Sequence, residues 1–295
     1  MGATPRSEPV PPGPAAAGER PAPGTGRPLA SVCIPAYNQE ATIAQAVQSA
    51  LGQTYAPLEV VVVDDCSRDR TWDVLSGLAD DRLRCFRNPA NLGLAGNWNR
   101  ALGLAGGRYV KLLCGDDVLY PDCLAKQVAA LERHPDAAMA GCARDILSSA
   151  GRRICRRGMR RDAVMEGGDA LRASIRRGGN LIGEPGAVLL RREVLDRVGG
   201  FRDHLPYMID LDMWARVLQH GRLAAMAEPL CAFRLNPGAL SCALGGRQGE
   251  EYAAFVRQLA RDRVAGIGAA DVAWGLFMGR VSMVLRRILY LFFAR

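Results

Sequence analysis

A chain of 295 residues, 49% hydrophobic and 23% charged, carries enough apolar material for a substantial core, which excludes the disordered and collagen-like classes. Its net charge of +8 comes mainly from arginine, concentrated at Arg152, Arg153, Arg156, Arg157, Arg160 and Arg161, with more at Arg172, Arg176 and Arg177. These are neither interleaved with aromatics nor set on a recognition helix, so no nucleic-acid partner is expected. Because Lys111 and Lys126 are the only lysines, the arginine runs read first as solvated surface. An anionic lipid headgroup or a phosphate-bearing acceptor is the functional alternative.

Residues 1–28 are rich in proline, glycine and alanine, with almost no large apolar side chains; an unfolded tail is expected, and a signal peptide's continuous apolar stretch is missing. The nine cysteines are odd in number and show no CxxC pair or other metal-ligand spacing. Free thiols in a reducing compartment follow, and cytoplasm is the expected location.

From Ala30 the pattern alternates between strands and helices. Residues 30–34 read as a strand closed by Pro35. Ala36, Tyr37 and Asn38 then turn into a helix capped by Asn38, with Glu40 in its first turn, Ile43, Val47, Ala50 and Leu51 at helical spacing, and Gly52 as its stop. The valine run 60–63 is a buried strand ending in Asp64 and Asp65. A helix over 69–79, a strand over 82–86 and a helix carrying Leu94, Trp98, Ala101, Leu102 and Ala105 follow. Strand 109–113 leads to Asp116 and Asp117. This rhythm predicts an α/β fold with a Rossmann-like, mostly parallel central sheet flanked by helices. Acid pairs just past buried runs belong at the carboxyl ends of such strands, where ligands bind, and two pairs facing one cleft imply a cation.

The order SVCIPAYNQEATIAQAVQSALGQTY, EVVVVDDCSRDRT, NLGLAG, the acid pair at 116 and 117, and GGFRDHLPYMIDLDMWARV resembles glycosyltransferase family 2, the inverting enzymes of the GT-A fold, from about Ala30 to about Ser241. The resemblance implies a catalytic domain over 29–245, with a nucleotide-sugar half at 29–120 and an acceptor half at 121–245, followed by a helical segment over 246–295. It also implies a donor that is a nucleotide-diphosphate sugar, an Mn2+ or Mg2+ ion, and a glycan or lipid-linked acceptor, in bacterial surface-polysaccharide or lipid-linked glycan synthesis. By the same resemblance Pro35, Ala36, Tyr37 and Glu40 flank the base and ribose, and Asp64 accepts a hydrogen bond from the base. A core aromatic is the structural alternative for Tyr37, and a turn before Ser67 for Asp64.

The family's Asp-x-Asp metal motif falls on Cys114, Gly115 and Asp116, followed by Asp117. A thiol is a poor ligand for hard ions, so metal contact and ribose positioning are assigned to Asp116 and Asp117 together; capping of a helix near Pro121 is the alternative use. The family's Glu-Asp pair falls on Ile209 and Asp210, making Asp210 the expected base, just before a helix. Asp212 is the rival, with a helix-dipole role as its commoner use. Glu184 and Pro185 are expected to shape the acceptor side, Gly199 and Gly200 to stop a helix, and Trp214 to pack in the core. Asn236 stands where the family often has a histidine facing the diphosphate, with Arg234 near to supply charge. His134, His204 and His220 read as surface or loop residues.

Two other functions compete. A noncatalytic nucleotide-sugar-binding protein draws support from Cys114 and Ile209, whereas a nucleotidyltransferase would need a glycine-rich basic loop where PAYNQE stands. Between Val272 and Phe293, Arg280, Arg286 and Arg287 interrupt an apolar run that falls short of the ~20 uncharged residues of a spanning helix. It reads as an amphipathic helix lying on the inner membrane face or docked on the domain.

Overall fold

The computed structural model describes residues 26–235 and 247–293, with side chains described as far as residue 284. Most of the expected tail, Asn236, and the side chains of Arg286 and Arg287 therefore lie outside the described residues.

Strands β1 (Ala30–Ala36), β2 (Leu58–Asp64), β3 (Leu83–Arg87) and β4 (Tyr109–Leu112) form a parallel array in the order β3-β2-β1-β4. Val60 to Val63 are completely buried because both faces are covered: Val60 and Val62 pack with helix α1 (Ile43–Leu51), Val61 and Val63 with α3 (Gly93–Leu104). An uninterrupted apolar run is what such a doubly covered strand requires. The short helix α2 (Thr71–Ser76) links β2 to β3.

Two expectations at the first strand need correction. β1 runs through Pro35 to Ala36, because the β1–β4 ladder ends at the pair Cys33 and Leu112, and the missing proline N–H falls beyond it. Asn38 does not cap α1; Thr42 holds that position. Asn38 instead adopts φ 52°, a conformation asparagine tolerates better than most residues. From there its N–H donates to Ser67 Oγ (2.9 Å) and its Oδ1 accepts from Arg68 N (2.9 Å). Gln39 N to Thr71 Oγ1 (2.7 Å), Glu40 N to Asp69 Oδ2 (3.0 Å) and Arg70 N to Glu40 Oε2 (2.9 Å) complete a lacing of the loops after β1 and β2.

The rest of the sheet is mixed. Beyond β4 come β9 (Val188–Arg191), antiparallel to it, then β6 (Ala137–Leu147), then β10 (Arg222–Arg234) parallel to β6, with β5 (Val118–Leu119) at the edge. β7 (Arg153–Arg157) pairs with β6, and β8 (Ala163–Met165) with β10. The α/β class stands, with the continuous parallel block confined to the first four strands. Helices α4 (Cys123–Arg133), α5 (Gly167–Arg176), α6 (Arg192–Val198) and α7 (Ile209–Val217) accompany this half; Gly199 ends α6 at φ 74°, as a helix stop should.

The chain closes with α8 (Gln248–Arg261) and α9 (Ala269–Phe293). The terminal helix docks on α5 and α8, and the approach is close: a Cβ on Gly178 would lie 2.3 Å from Met278 O. Its outward face keeps Trp274, Phe277 and Val284 exposed. No helix among the described residues is long and apolar enough to cross a membrane.

One buried cation ties the halves together. Lys111 on β4 is fully buried and donates to Gly186 O (2.8 Å) and Val188 O (3.0 Å), fixing the 3-10 turn Pro185–Ala187 beside the strand tips. Lys111→Met keeps the bulk but strands two buried carbonyls, so chemical denaturation should show a loss of about 2–4 kcal/mol. An unchanged midpoint and slope would remove this stitch from the fold's stability.

Candidate active site at the strand tips

Immediately after β4, Leu113 N donates to Cys33 O (2.9 Å) and the chain turns through Cys114, Gly115, Asp116 and Asp117. Gly115 packs against the Gln39 side chain, whose amide would have to move aside for any Cβ there. The Cys114 thiol and the carboxylates of Asp116 and Asp117 lie within 4.8 Å of one another. Arg234 braces this turn, its backbone N–H donating to Asp117 Oδ1 (3.0 Å), its Nε to Asp116 O (3.1 Å) and its guanidinium to Gln45 Oε1 (2.8 Å). The helix-capping alternative for the acid pair is thereby corrected, since Asp122 occupies the cap position of α4.

The electrostatics are those of charge in search of a partner. Burial, then the Asp116 charge, drive the Asp117 carboxyl well above the usual range. Burial also raises Asp116, against the opposing charge of Arg234. The Cys114 thiol is pushed far upward by burial and by four surrounding carboxylates, Asp117, Asp116, Asp210 and Glu184. It therefore stays protonated and offers no thiolate to a soft metal. Two adjacent, partly desolvated carboxylates with a neutral thiol fit a hard divalent ion at Asp116 and Asp117.

Across the cluster stands Asp210, in the first turn of α7 rather than ahead of it. Its Oδ2 accepts from Asn180 Nδ2 (2.7 Å) and its Oδ1 from Leu211 N (2.7 Å). Asn180 is itself clamped in a tight turn, donating to Gly183 O (2.8 Å) and accepting from Gly183 N (2.9 Å). Burial, followed by the negative charge of Glu184, pushes the Asp210 carboxyl up to about 6. Glu184 behaves oppositely. Burial would raise it, but the buried Arg144 guanidinium, an ion-pair partner, holds it below the usual carboxylate range. Arg144 also donates to Asn180 O (3.0 Å), while buried Trp214 gives its indole N–H to Gly183 O (2.8 Å). Trp214 is thus a core residue, as expected, that props the turn holding Asp210. The rival Asp212 is committed to the scaffold: it pairs with Arg216 Nε (3.1 Å) and accepts from Gln258 (3.3 Å) on α8.

The first two strands bring Ala36 and Asp64 into register at their carboxyl ends. Asp64 is buried, pairs with Arg87 Nε (3.1 Å) and accepts from Ser67 N. Asp65 orders the loop before α3 by accepting from Leu92 N (2.8 Å), Gly93 N (3.1 Å) and Asn88 Nδ2 (2.7 Å). Tyr37 is 40% exposed, which overturns the core-aromatic alternative for it. Glu40 is engaged with Arg70 in the laced loops. The structure therefore gathers Asp116, Asp117, Asp210 and Glu184 in one cluster, and sets Pro35, Ala36 and Asp64 at the strand ends beside it. Asn180 and Arg144 were missed by sequence reasoning. An arginine inside the strand AGCARDIL, whose other residues apart from Asp145 are apolar or glycine, was the available signal for a buried ion pair.

Comparison with known proteins agrees with this geometry. Residues 31–199 match the family described as Glycosyl transferase family 2. An uncharacterised protein of Mycobacterium tuberculosis (strain CDC 1551 / Oshkosh) is 34% identical over 217 residues, 70% of this chain and 67% of its own length. The Escherichia coli enzyme WfaP, a UDP-Glc:alpha-D-GlcNAc-diphosphoundecaprenol beta-1,3-glucosyltransferase, is 40% identical over 104 residues, 35% of this chain and 41% of its own, so the match spans less than half of that relative. Among solved structures, S. aureus TarS 1-349 in complex with UDP-GlcNAc superposes with a TM-score of 0.65 at 19% identity, covering 84% of this chain and 70% of that one. The mannosyltransferase PcManGT of Pyrobaculum calidifontis, in complex with GDP-Man and Mn2+, gives 0.58 at 20% identity over 90% and 76%. With more than half of its length matching the family and its fold close to these GT-A enzymes, the chain belongs to glycosyltransferase family 2.

Proposed function

We propose that the protein is an inverting glycosyltransferase that moves one sugar from a nucleotide-diphosphate donor to a hydroxyl of a glycan or lipid-linked acceptor, in polysaccharide or lipid-linked glycan synthesis. The observation that carries this reading is Asp210, a carboxylate poised near 6 and aimed by Asn180, next to the acid pair Asp116 and Asp117. A general base works best when its pKa lies near the operating pH.

In the proposed reaction Asp210 accepts the proton of the acceptor hydroxyl as its oxygen bonds to the anomeric carbon. The bond from that carbon to the diphosphate oxygen breaks on the opposite face, which inverts the centre. A divalent ion held by Asp116 and Asp117 would neutralise charge on the departing diphosphate. Arg234, braced against the same turn, adds a fixed positive charge there. Asn180 and Leu211 N–H keep both Asp210 oxygens oriented. Pro35, Ala36, Tyr37 and Glu40 are assigned to the base and ribose, with exposed Tyr37 available for stacking. Asp64, paired with Arg87, is assigned the hydrogen bond from the base. The replacement of an aspartate by Cys114 favours the noncatalytic reading, and the first test below decides between the two.

We further assign the protein to the cytoplasmic membrane face. Exposed Trp274 and Phe277 on α9 are flanked by exposed Arg280 and Arg177, a pairing of aromatic and basic side chains suited to the lipid interface.

Asp210→Asn should lower transfer turnover by about 10²–10⁴-fold while leaving nucleotide affinity unchanged, and NMR of the wild-type product should show the anomer opposite to the donor's. Unchanged transfer would remove Asp210 from the mechanism. Because the base must be ionised, kcat/KM should fall as pH drops below about 6 and level off above it; a flat profile between pH 5 and 7 would contradict the assignment. Trp274→Ala combined with Phe277→Ala should abolish co-sedimentation with phosphatidylglycerol vesicles. Equal sedimentation of variant and wild type would exclude α9 as the membrane contact.

A further inference from the structure

We propose that Arg157 on β7 forms an anion subsite for the acceptor and engages a phosphate carried by the acceptor sugar. The inference deepens the proposed function, since it takes Asp210 as the base that meets the acceptor hydroxyl.

The placement follows from strand register. β7 pairs with β6 so that Arg157 lies opposite Arg144 and Arg156 opposite Asp145; directly opposed residues of an antiparallel pair share a face of the sheet. Arg156 is neutralised on its face by Asp145, with Nε to Oδ1 at 3.2 Å. On the other face Arg144 is neutralised by Glu184 and also holds Asn180 O. Arg157 shares that second face, yet no hydrogen bond or ion pair among the described residues occupies its guanidinium. Its charge is still felt by Glu184, whose carboxyl it helps to hold down after burial and Arg144 have acted.

A half-buried arginine with no ion-pair partner among the described residues, on the face of the carboxylate cluster, is costly to maintain unless a ligand anion meets it. The acceptor's geometry supplies one. When an acceptor sugar carries phosphate on its anomeric carbon, that phosphate lies one ring's width from the hydroxyl that Asp210 deprotonates. The planar guanidinium fork matches phosphate oxygens bidentately. Exposed Arg152, Arg160 and Arg161 in the flanking turns add a long-range field drawing an anionic acceptor toward this edge.

The test separates the acceptor anion from the donor diphosphate. With the nucleotide site first saturated with UDP or GDP and Mn2+, calorimetric titration with geranyl diphosphate, and in a second arm with inorganic pyrophosphate, reports diphosphate binding outside the donor site. Arg157→Gln should weaken binding in either arm by about 10–100-fold, Arg157→Lys should fall between, and nucleotide affinity and melting temperature should not move. Tighter binding in the geranyl arm identifies a lipid-linked diphosphate, and equal binding a free one. In transfer assays the same variant should raise acceptor KM with little change in kcat. Absence of a second diphosphate site in the wild type, unchanged affinity in Arg157→Gln, or a matching loss of nucleotide affinity would each overturn the proposal. If Asp210→Asn leaves transfer intact while Arg157→Gln still weakens diphosphate binding, the assigned base fails and the anion subsite stands.

Discussion

Negative charge crowded into a partly dehydrated space is the constraint on which this structure turns. The carboxylates of Asp116, Asp117, Glu184 and Asp210 all act on one thiol, Cys114, and among these four only Glu184 forms an ion pair with a buried arginine in the described residues. Gathering carboxylates away from water is unfavourable unless hydrogen bonds and counter-charges compensate. The compensation is local and partial: Arg234 N–H for Asp117, Asn180 and Leu211 N–H for Asp210. Such a cluster is maintained by what surrounds it, and its remaining charge is what makes a cation and an acidifying hydroxyl suitable occupants.

The fold assembles this cluster from three stretches distant in sequence. Asp116 and Asp117 follow the parallel strand β4, Glu184 precedes β9, and Asp210 opens α7. The antiparallel join between β4 and β9 is what brings the second stretch alongside the first. Lys111 fastens that join through the carbonyls of Gly186 and Val188, and Trp214 props the turn containing Gly183 and Glu184 from the core. Lys111 and Trp214 are buried, and their contacts hold the spacing between Asp210 and the acid pair.

Much of the first half was legible because its signals are local. The run Val60–Val63 can be buried on both faces only in a covered sheet, and Asp64/Asp65 and Asp116/Asp117 mark where chains leave such strands. The mixed half was less legible. Nothing in a strand-helix rhythm reveals that β9 reverses, and short strands such as β5 and β8 carry little pattern. Asn38 was misread because its partners, Ser67 and Arg68, lie about thirty residues away and impose a left-handed backbone. Arg144 and Asn180 were missed for the same reason, their partners being fixed by tertiary packing. By contrast, the pairing of Asp212 had a local sign: Arg216, one helical turn beyond it, pairs with it and ties it to the scaffold.

The most direct test is an electron paramagnetic resonance titration of Mn2+ in the presence of saturating UDP or GDP, comparing wild type with Asp116→Asn, Asp117→Asn and Asp210→Asn. One tight nucleotide-dependent site is predicted for wild type and Asp210→Asn, weakened at least about tenfold when either member of the acid pair loses its charge. A site of equal strength in all four proteins, or none in the wild type, would contradict the placement of the donor diphosphate at these strand tips.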